Sequence, residues 1–312
     1  MFNFVQRRRW YYLISASIIV PGIIAMIYST IQFGSPVRLS IDFKGGSLYL
    51  VTFEEEATES AIREVYADFG QPDAVIQKLG NDGRHWQIRA GALTPEEQNA
   101  LIAALEARVA PIDSNQSSLD VISPSVGSEV TKAAILAVVA AAIVILGFIW
   151  FAFRRVPHAI RYGACAIFAM IHDVLVTMGV MSILGIFLGW EVDALFLTAV
   201  LTVVGFSVQD SIVVFDRIRE NLPKYRREPY EMVVNRSVLE TLHRSLATQL
   251  NALFVMIAIL LFGGATIKQF IAILLIGLLS GTYSSIFTAV PLLVSWEKGE
   301  LPFTRKAATA SA

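Results

Sequence analysis

Apolar residues along this chain follow two patterns. Six runs are almost continuously apolar: residues 11–31, 132–152, 163–187, 195–215, 245–262 and 269–293. A helix of about 20 apolar residues crosses about 30 Å of hydrocarbon, so each run predicts a membrane-spanning helix. Between the first and second runs lies a polar stretch of roughly a hundred residues, long enough for a small domain. The remaining connections are short, apart from a charged segment at 216–244.

Within the polar stretch the periodicity changes. Residues 47–53 are rich in β-formers and predict a strand. Ala61, Ile62, Val65, Tyr66 and Phe69 share a helical face, with Thr58 placed to cap its start. Residues 74–79 predict a second strand, residues 80–83 supply turn chemistry, and 85–89 predict the return strand of a hairpin. Thr94, Pro95 and Glu97 form a helix start with a capping box, and Leu101, Leu105 and Val109 carry that helix on. Residues 119–122 give a last short strand. The order β-α-β-β-α-β is the ferredoxin-like, split βαβ arrangement. The expected organisation is an N-terminal segment and first span at 1–32, the α+β domain at 33–131, a bundle of five spans at 132–296 containing the 216–244 loop, and a tail at 297–312.

Composition agrees with a membrane protein: 55% of the 312 residues are hydrophobic and 16% charged, too apolar for an ordinary soluble domain. A net charge of −1 suggests no nucleic-acid partner. Cys165 is the single cysteine, so no intramolecular disulfide forms and structural zinc is not expected. The run at 11–31 follows Arg7, Arg8 and Arg9 but is longer than a signal-peptide core and lacks a small-residue cleavage site, so it reads as an uncleaved first helix.

Charge sets the expected orientation. With an even number of spans both termini face one side, which carries Arg7–Arg9, Arg154, Arg155, Arg161, Arg217, Arg219, Lys224, Arg226, Arg227 and Arg236. The opposite short loops offer only Lys268. The positive-inside rule puts both termini in the cytoplasm and the large loop in the periplasm or outside the cell.

The chemistry sits among the spans. Asp210 lies in the fourth, where a carboxylate costs about 2.5–3.5 kcal/mol on insertion scales, so it is expected to face protein or water and to take up and release a proton. The alternative is a buried carboxylate that only pins helices. Asp173 lies near the middle of the third span beside His172. His172 is either a proton relay or a satisfied hydrogen-bonding group. Arg244, Thr248 and Asn251 are spaced i, i+4, i+7 on one face of the fifth span. Arg244 either pairs with Asp210 or snorkels to the interface. Gly281, Ser285 and Thr288 share a face of the sixth span. Together with Ser207, these hydroxyls and amides are candidates for a proton path or for interhelical glue. Gly277 and Gly281 form a small-xxx-small motif suited to close helix packing.

Some motifs are missing from the sequence. It has no Gly-x-x-x-x-Gly-Lys-Ser/Thr loop, no His-Glu-x-x-His and no Gly-x-Ser-x-Gly. No enzymatic activity, cofactor or metal is expected. Any work must draw on a partner's hydrolysis or on an ion gradient.

The stretch Val204-Gly-Phe-Ser-Val-Gln-Asp-Ser-Ile-Val-Val-Phe-Asp-Arg-Ile-Arg-Glu-Asn221 resembles the fourth-helix signature of SecF proteins, the protein-export membrane proteins of the SecD/SecF family. Ser40-Ile-Asp-Phe-Lys-Gly-Gly46 resembles the Asp-Phe-x-Gly-Gly motif after their first helix. Ile171-His-Asp-Val-Leu-Val-Thr177, Thr241-Leu-His-Arg-Ser-Leu246 and Leu261-Phe-Gly-Gly264 are similar to segments of the third and fifth helices. At Val126-Gly-Ser-Glu129 the chain departs from the family, which commonly has Pro after the Gly.

The resemblance implies an RND-transporter-like half: a polytopic α-helical membrane protein of six helices with one periplasmic ferredoxin-like α+β domain. It implies SecD as a partner supplying a matching six-helix half, association with the SecYEG translocon in the cytoplasmic membrane, and use of the proton-motive force to complete preprotein export. By position, Asp210 matches the proton-handling carboxylate and Arg244 the arginine that works with it. Asp42, Phe43, Gly45 and Gly46 match the structural motif near the base of the domain. Three rivals stand beside this reading: an RND-like exporter of small molecules or lipids, a non-transporting translocon scaffold, and, least favoured by the missing motifs, an intramembrane enzyme.

Overall fold

The computed structural model describes residues 4–72, 74–80, 82–154 and 159–300. Asn81 of the expected turn, Arg155 and the tail from residue 301 lie outside the described residues. The chain forms two compact units: Leu39–Leu136, and the chain up to Arg38 taken together with the chain from Ala137 onward.

The first long helix, α1 (Arg8–Phe33), ends on Gly34 in the left-handed region at φ 76°, the common way to close a helix. The small unit begins with a one-turn helix, α2 (Ile41–Lys44), capped by the Ser40 hydroxyl. It continues through β1 (Gly46–Thr52), α3 (Glu59–Asp68), β2 (Val75–Leu79), β3 (His85–Ala90), α4 (Pro95–Arg108) and β4 (Ser118–Ile122). The sheet order is β2-β3-β1-β4, and every neighbouring pair is antiparallel. This is the ferredoxin-like topology expected from the sequence.

Local chemistry explains these elements. Thr58 caps α3, and Thr94 with Glu97 makes the complete capping box of α4. Tyr49 and Val51 stand opposite Ile88 and Trp86, and these four join Ile62, Tyr66, Leu101 and Leu105 in the core. Gly45 and Gly46 have φ of 77° and 135°. A Cβ at Gly46 would come within 2.6 Å of the Ala90 carbonyl, and one at Gly45 within 2.7 Å of the Pro124 backbone. Asp42 and Phe43 therefore open a tight backbone crossing that only glycine permits. Gly127, in the segment that departs from the family pattern, packs onto the same crossing, 2.7 Å from its notional Cβ to Gly45 N.

The second unit holds the other long helices: α5 (Pro124–Phe153, which starts in the small unit), α6 (Ala159–Leu188), α7 (Ala194–Lys224), α8 (Tyr230–Phe262) and α9 (Ala265–Ser284). A π-turn at Ser285–Ala289 carries α9 on into α10 (Val290–Glu297). Six stretches, the last formed by α9 with its continuation, are long and apolar enough to span a membrane. The segment expected as a 216–244 loop is mostly helical. α7 runs to Lys224 and α8 starts at Tyr230, because polar residues there alternate with a buried stripe of Phe215, Ile218, Val233, Val234 and Val238.

α6, α7 and α9 form the interior, whereas α1, α5 and α8 expose most of their apolar surface. Small residues make the interior tight. α1 and α6 cross at Gly22 and Gly179, where a Cβ on Gly22 would lie 2.9 Å from the Gly179 Cα. Gly277 and Gly281 of α9 face Val203 and Ser207 of α7, one turn apart on each helix. The small-xxx-small motif thus performs the close packing expected of it.

Candidate functional site: two polar centres in an apolar bundle

α7 carries Asp210 into the bundle because its apolar face turns Val203, Val204, Val208, Val214 and Phe215 inward, and Asp210 falls on the same buried side. Asp210 is 6% exposed. Its hydrogen-bond donor is the Gln249 side-chain amide of α8. Arg244 is not that partner: among the described residues no ion pair joins it to Asp210. The reason is helical geometry. Gln249 lies five residues beyond Arg244, about 140° around the helix axis at 3.6 residues per turn. Ser245 and Gln249 occupy the buried face of α8, while Arg244, Thr248 and Asn251 lie on its exposed face.

Arg244 lines a cleft of about 270 Å³ between α7 and α8, with Asp216, Arg217, Glu220, Glu240 and Thr241. Arg217 is held there by Glu240 at 2.6 Å and Glu220 at 2.8 Å. Asn221 donates to Glu240 at 2.8 Å and to Ser237 at 3.0 Å. Asp216, which opens this cleft, follows Asp210 by six residues, about 9 Å along the helix.

The second centre is built on α6. Asp173 has no exposed surface. It accepts from Ser280 and Ser284 of α9, each at 2.6 Å, and lies 3.0 Å from Nδ1 of His172. The other ring nitrogen, Nε2, lies 3.0 Å from the Ser15 hydroxyl of α1, which is 3.5 Å from that of Thr288. Tyr283 stacks on His172 with centroids 6.0 Å apart. Asp173 is therefore satisfied inside this chain. The face expected on the sixth span, Gly281, Ser285 and Thr288, proves to be divided. Gly281 meets α7, Thr288 meets Ser15, and Ser285 bonds back to the Thr282 carbonyl at 3.1 Å. Ser207 is fully buried and its hydroxyl has no hydrogen-bond partner. The residues that sequence reasoning missed are Gln249, Ser15, Ser280 and Ser284. None carries a charge, and each stands near other uncharged polar residues (Ser15 near Ser17, Gln249 near Thr248 and Asn251, Ser280 and Ser284 near Thr282 and Ser285), so no sequence signal singles it out.

No group of three or more His, Cys, Asp or Glu side chains among the described residues could hold a metal ion. The fold defines a polytopic α-helical membrane protein with a small ferredoxin-like unit and two buried carboxylates among its helices. Residues 102–299 match the SecD/SecF C-terminal model of protein-export membrane proteins, and residues 31–57 match the SecD/SecF GG motif. The chain belongs to the SecD/SecF family of protein-export membrane proteins. It is 45% identical to the protein translocase subunit SecF of Anaerolinea thermophila over the whole of both chains. With that of Thermobaculum terrenum it shares 45% identity over 95% of this chain and 94% of the relative. The crystal structure of SecDF, a translocon-associated membrane protein from Thermus thermophilus, superposes with a TM-score of 0.79 at 31% identity. That match covers 95% of this chain and only 39% of the SecDF chain, so the present chain spans about two-fifths of the solved one. A super-membrane-facing form of SecDF matches with a TM-score of 0.66 at 30% identity, over 99% of this chain and 40% of that one.

Proposed function

We propose that this chain is the SecF-type subunit of a protein translocase in the cytoplasmic membrane, and that it uses the proton-motive force to drive late steps of preprotein export. Asp210 carries the reading. A carboxylate 6% exposed in an apolar spanning helix, held by one neutral amide, can exist charged or neutral without rebuilding its surroundings. The arginine that could stabilise its charged form lies in a polar cleft, five residues before Gln249 on α8 and so about one and a half turns along it. Movement of Arg244 toward Asp210 favours proton release, and movement away favours uptake. Each proton crossing about 150 mV supplies roughly 3–4 kcal/mol, which is comparable to the gap between two domain conformations.

In this proposal both termini are cytoplasmic and the Leu39–Leu136 unit is periplasmic, since short-loop positive charge favours the cytoplasmic side. SecD supplies the second six-helix half, the SecYEG channel supplies the preprotein, and lipid covers the remaining apolar surface. Exposed Thr198 and Gln209 with half-buried Thr202 on α7, and exposed Arg244, Thr248 and Asn251 on α8, support such a second half. Polar surface of this kind is costly against hydrocarbon. The Asp210–Gln249 hydrogen bond supports a second reading, in which Asp210 only pins α7 to α8 in a passive scaffold. A proton-flux assay coupled to preprotein release, comparing wild type with Asp210→Asn, separates the two. Loss of flux-coupled release supports the motor, and unchanged coupling supports the pin.

A further inference from the structure

The proton-coupled reading of Asp210 leaves the second buried carboxylate without a task. Asp173 and His172 are adjacent, buried, and bonded to each other and to α1 and α9. Two protonation states fit the same heavy-atom positions. In the first, Nδ1 of a neutral His172 donates to Asp173, Nε2 accepts from Ser15, and Ser15 accepts from Thr288. In the second, the pair holds one more proton: Nε2 donates to Ser15, and Ser15 turns its hydroxyl toward Thr288. Apart from the added proton, only hydroxyl rotations separate the two states, and hydroxyl hydrogens rotate freely to suit their partners. A pin made of asparagine and serine would have no such second state.

Unpaired hydroxyls also stand beside Asp210 on α7. Ser207 and Ser211, at i−3 and i+1 from Asp210, are fully buried, and neither hydroxyl has a hydrogen-bond partner. Buried hydroxyls left unpaired in a polar seam are sites for bridging water. Ser207 packs on Gly281, which lies on α9 between Ser280 and Ser284, the two donors to Asp173. The other titratable groups on the packed elements are Arg9, Tyr11, Tyr12 and Tyr28 of α1, Tyr162 and Cys165 of α6 itself, Tyr283 and Lys268 of α9, and Asp216, Arg217, Arg219, Glu220 and Lys224 in the last turns of α7. The charges of Arg8, Arg161 and Glu297 are held in ion pairs at the helix ends.

Resting on the proton-coupled reading of Asp210, we propose that Asp173 and His172 form a second proton-binding pair, which exchanges its proton with Asp210 through the Ser207 and Ser211 hydroxyls and the water they hold. The proton that leaves Asp210 is the one the pair gains. Only O–H and N–H bonds change.

The test uses the full chain, labelled with ¹⁵N-histidine, in lipid nanodiscs. The chain has four histidines, and the His172 signal is assigned by its loss in His172→Gln. Ring nitrogen shifts are followed over roughly pH 5 to 9, the range in which histidine titrates. Wild-type His172 is expected to pass from singly to doubly protonated in one step. Asp173→Asn is expected to move the midpoint at least tenfold in proton concentration, by removing the adjacent carboxylate. After a pH jump, the double variant Ser207→Ala, Ser211→Ala is expected to protonate His172 at least tenfold more slowly. A wild-type ring that stays in one state over the whole range overturns the pair, and needs no variant to do so. A titration whose rate the serine variant leaves unchanged overturns the route. The measurement involves neither preprotein nor gradient, so it fails separately from the motor reading, which fails if Asp210→Asn still exports in response to the gradient.

Discussion

Gln249 of α8 donates its side-chain amide to the carboxylate of Asp210 on α7, tying the two helices at the buried acid. Gln249→Leu keeps the volume and removes the donor. A buried charged group that loses its partner costs about 1–3 kcal/mol or more. The variant should unfold at lower temperature in detergent than wild type, while Gln249→Glu, which puts a second acid beside the first, should unfold lower still. Equal melting of Gln249→Leu and wild type would show that the bond contributes nothing to the fold.

Glycine packing gives a graded prediction. A Cβ on Gly277 collides with the Val203 side chain, whereas one on Gly281 meets Ser207 at 3.4 Å, an ordinary contact. Gly277→Ala should destabilise the bundle by about 1–3 kcal/mol, as overpacking does. Gly281→Ala should cost less than about 1 kcal/mol. Val203→Ala should rescue Gly277→Ala and leave Gly281→Ala unchanged. Thermal inactivation of the four variants reads the pattern, and equal effects at the two glycines would contradict this packing.

These two sites also show how far the sequence could be read. The long apolar runs marked the six spans, because crossing hydrocarbon imposes a length that few other structures need. The strands and helices of the small unit were legible almost to the residue, since Thr58, Thr94 and Glu97 mark their starts and a two-residue period marks the strands. Asp210 and Asp173 stood out because carboxylates are rare in such runs. Their partners did not. Gln249, Ser280 and Ser284 are uncharged and stand near other small polar residues, and only the packing of α8 and α9 decides which of them meets a carboxylate. For Arg244 the sequence leaves pairing with Asp210 and snorkelling both open, and the helix face that decides it turns the side chain into the cleft. The π-turn at Ser285–Ala289 further shifts the face that simple helical counting assigns to Ser285 and Thr288.

Orientation is open to direct labelling. Glu55 is exposed in the small unit and Arg227 in the short connection between α7 and α8, while Cys165 is buried. In a Cys165→Ala background, Glu55→Cys should react with a membrane-impermeant thiol reagent added outside intact cells, and Arg227→Cys only after the cells are opened. The reverse pattern would invert the topology.

The small unit should be sensitive to alkali. Tyr66 is 1% exposed, and its burial in the domain core pushes its hydroxyl well above the usual tyrosine range; Tyr49 is shifted the same way by burial. A tyrosine whose folded value is raised favours the neutral form. Its contribution to stability is therefore full below the unfolded value of about 10 and is lost as pH rises toward the folded value. Denaturant unfolding followed by the fluorescence of Trp86 should show stability falling above roughly pH 10, with a smaller slope in Tyr66→Phe. Parallel slopes in the two proteins would show that Tyr66 does not carry the effect.

Asp210→Asn tests the central proposal. Asparagine keeps the shape of the side chain and can still bond to Gln249 through its own carbonyl oxygen, so the α7–α8 seam should survive and the variant should melt within about 1 kcal/mol of wild type. What it lacks is an ionisable group. Arg244 then has no charge to approach, and the roughly 3–4 kcal/mol available per proton at about 150 mV has no carrier through this chain. Reconstituted with its six-helix partner and the channel, the variant should bind preprotein normally, and its export should no longer respond to the gradient. Arg244→Gln should give the same loss of response while leaving the Asp210–Gln249 bond intact, because Arg244 does not touch Asp210 in this structure. Arg244→Lys, which keeps the charge on a stem of similar reach, should restore part of the response. If Asp210→Asn still exports in proportion to the gradient, the acid is a helix pin, and the coupling group must be sought elsewhere in the bundle.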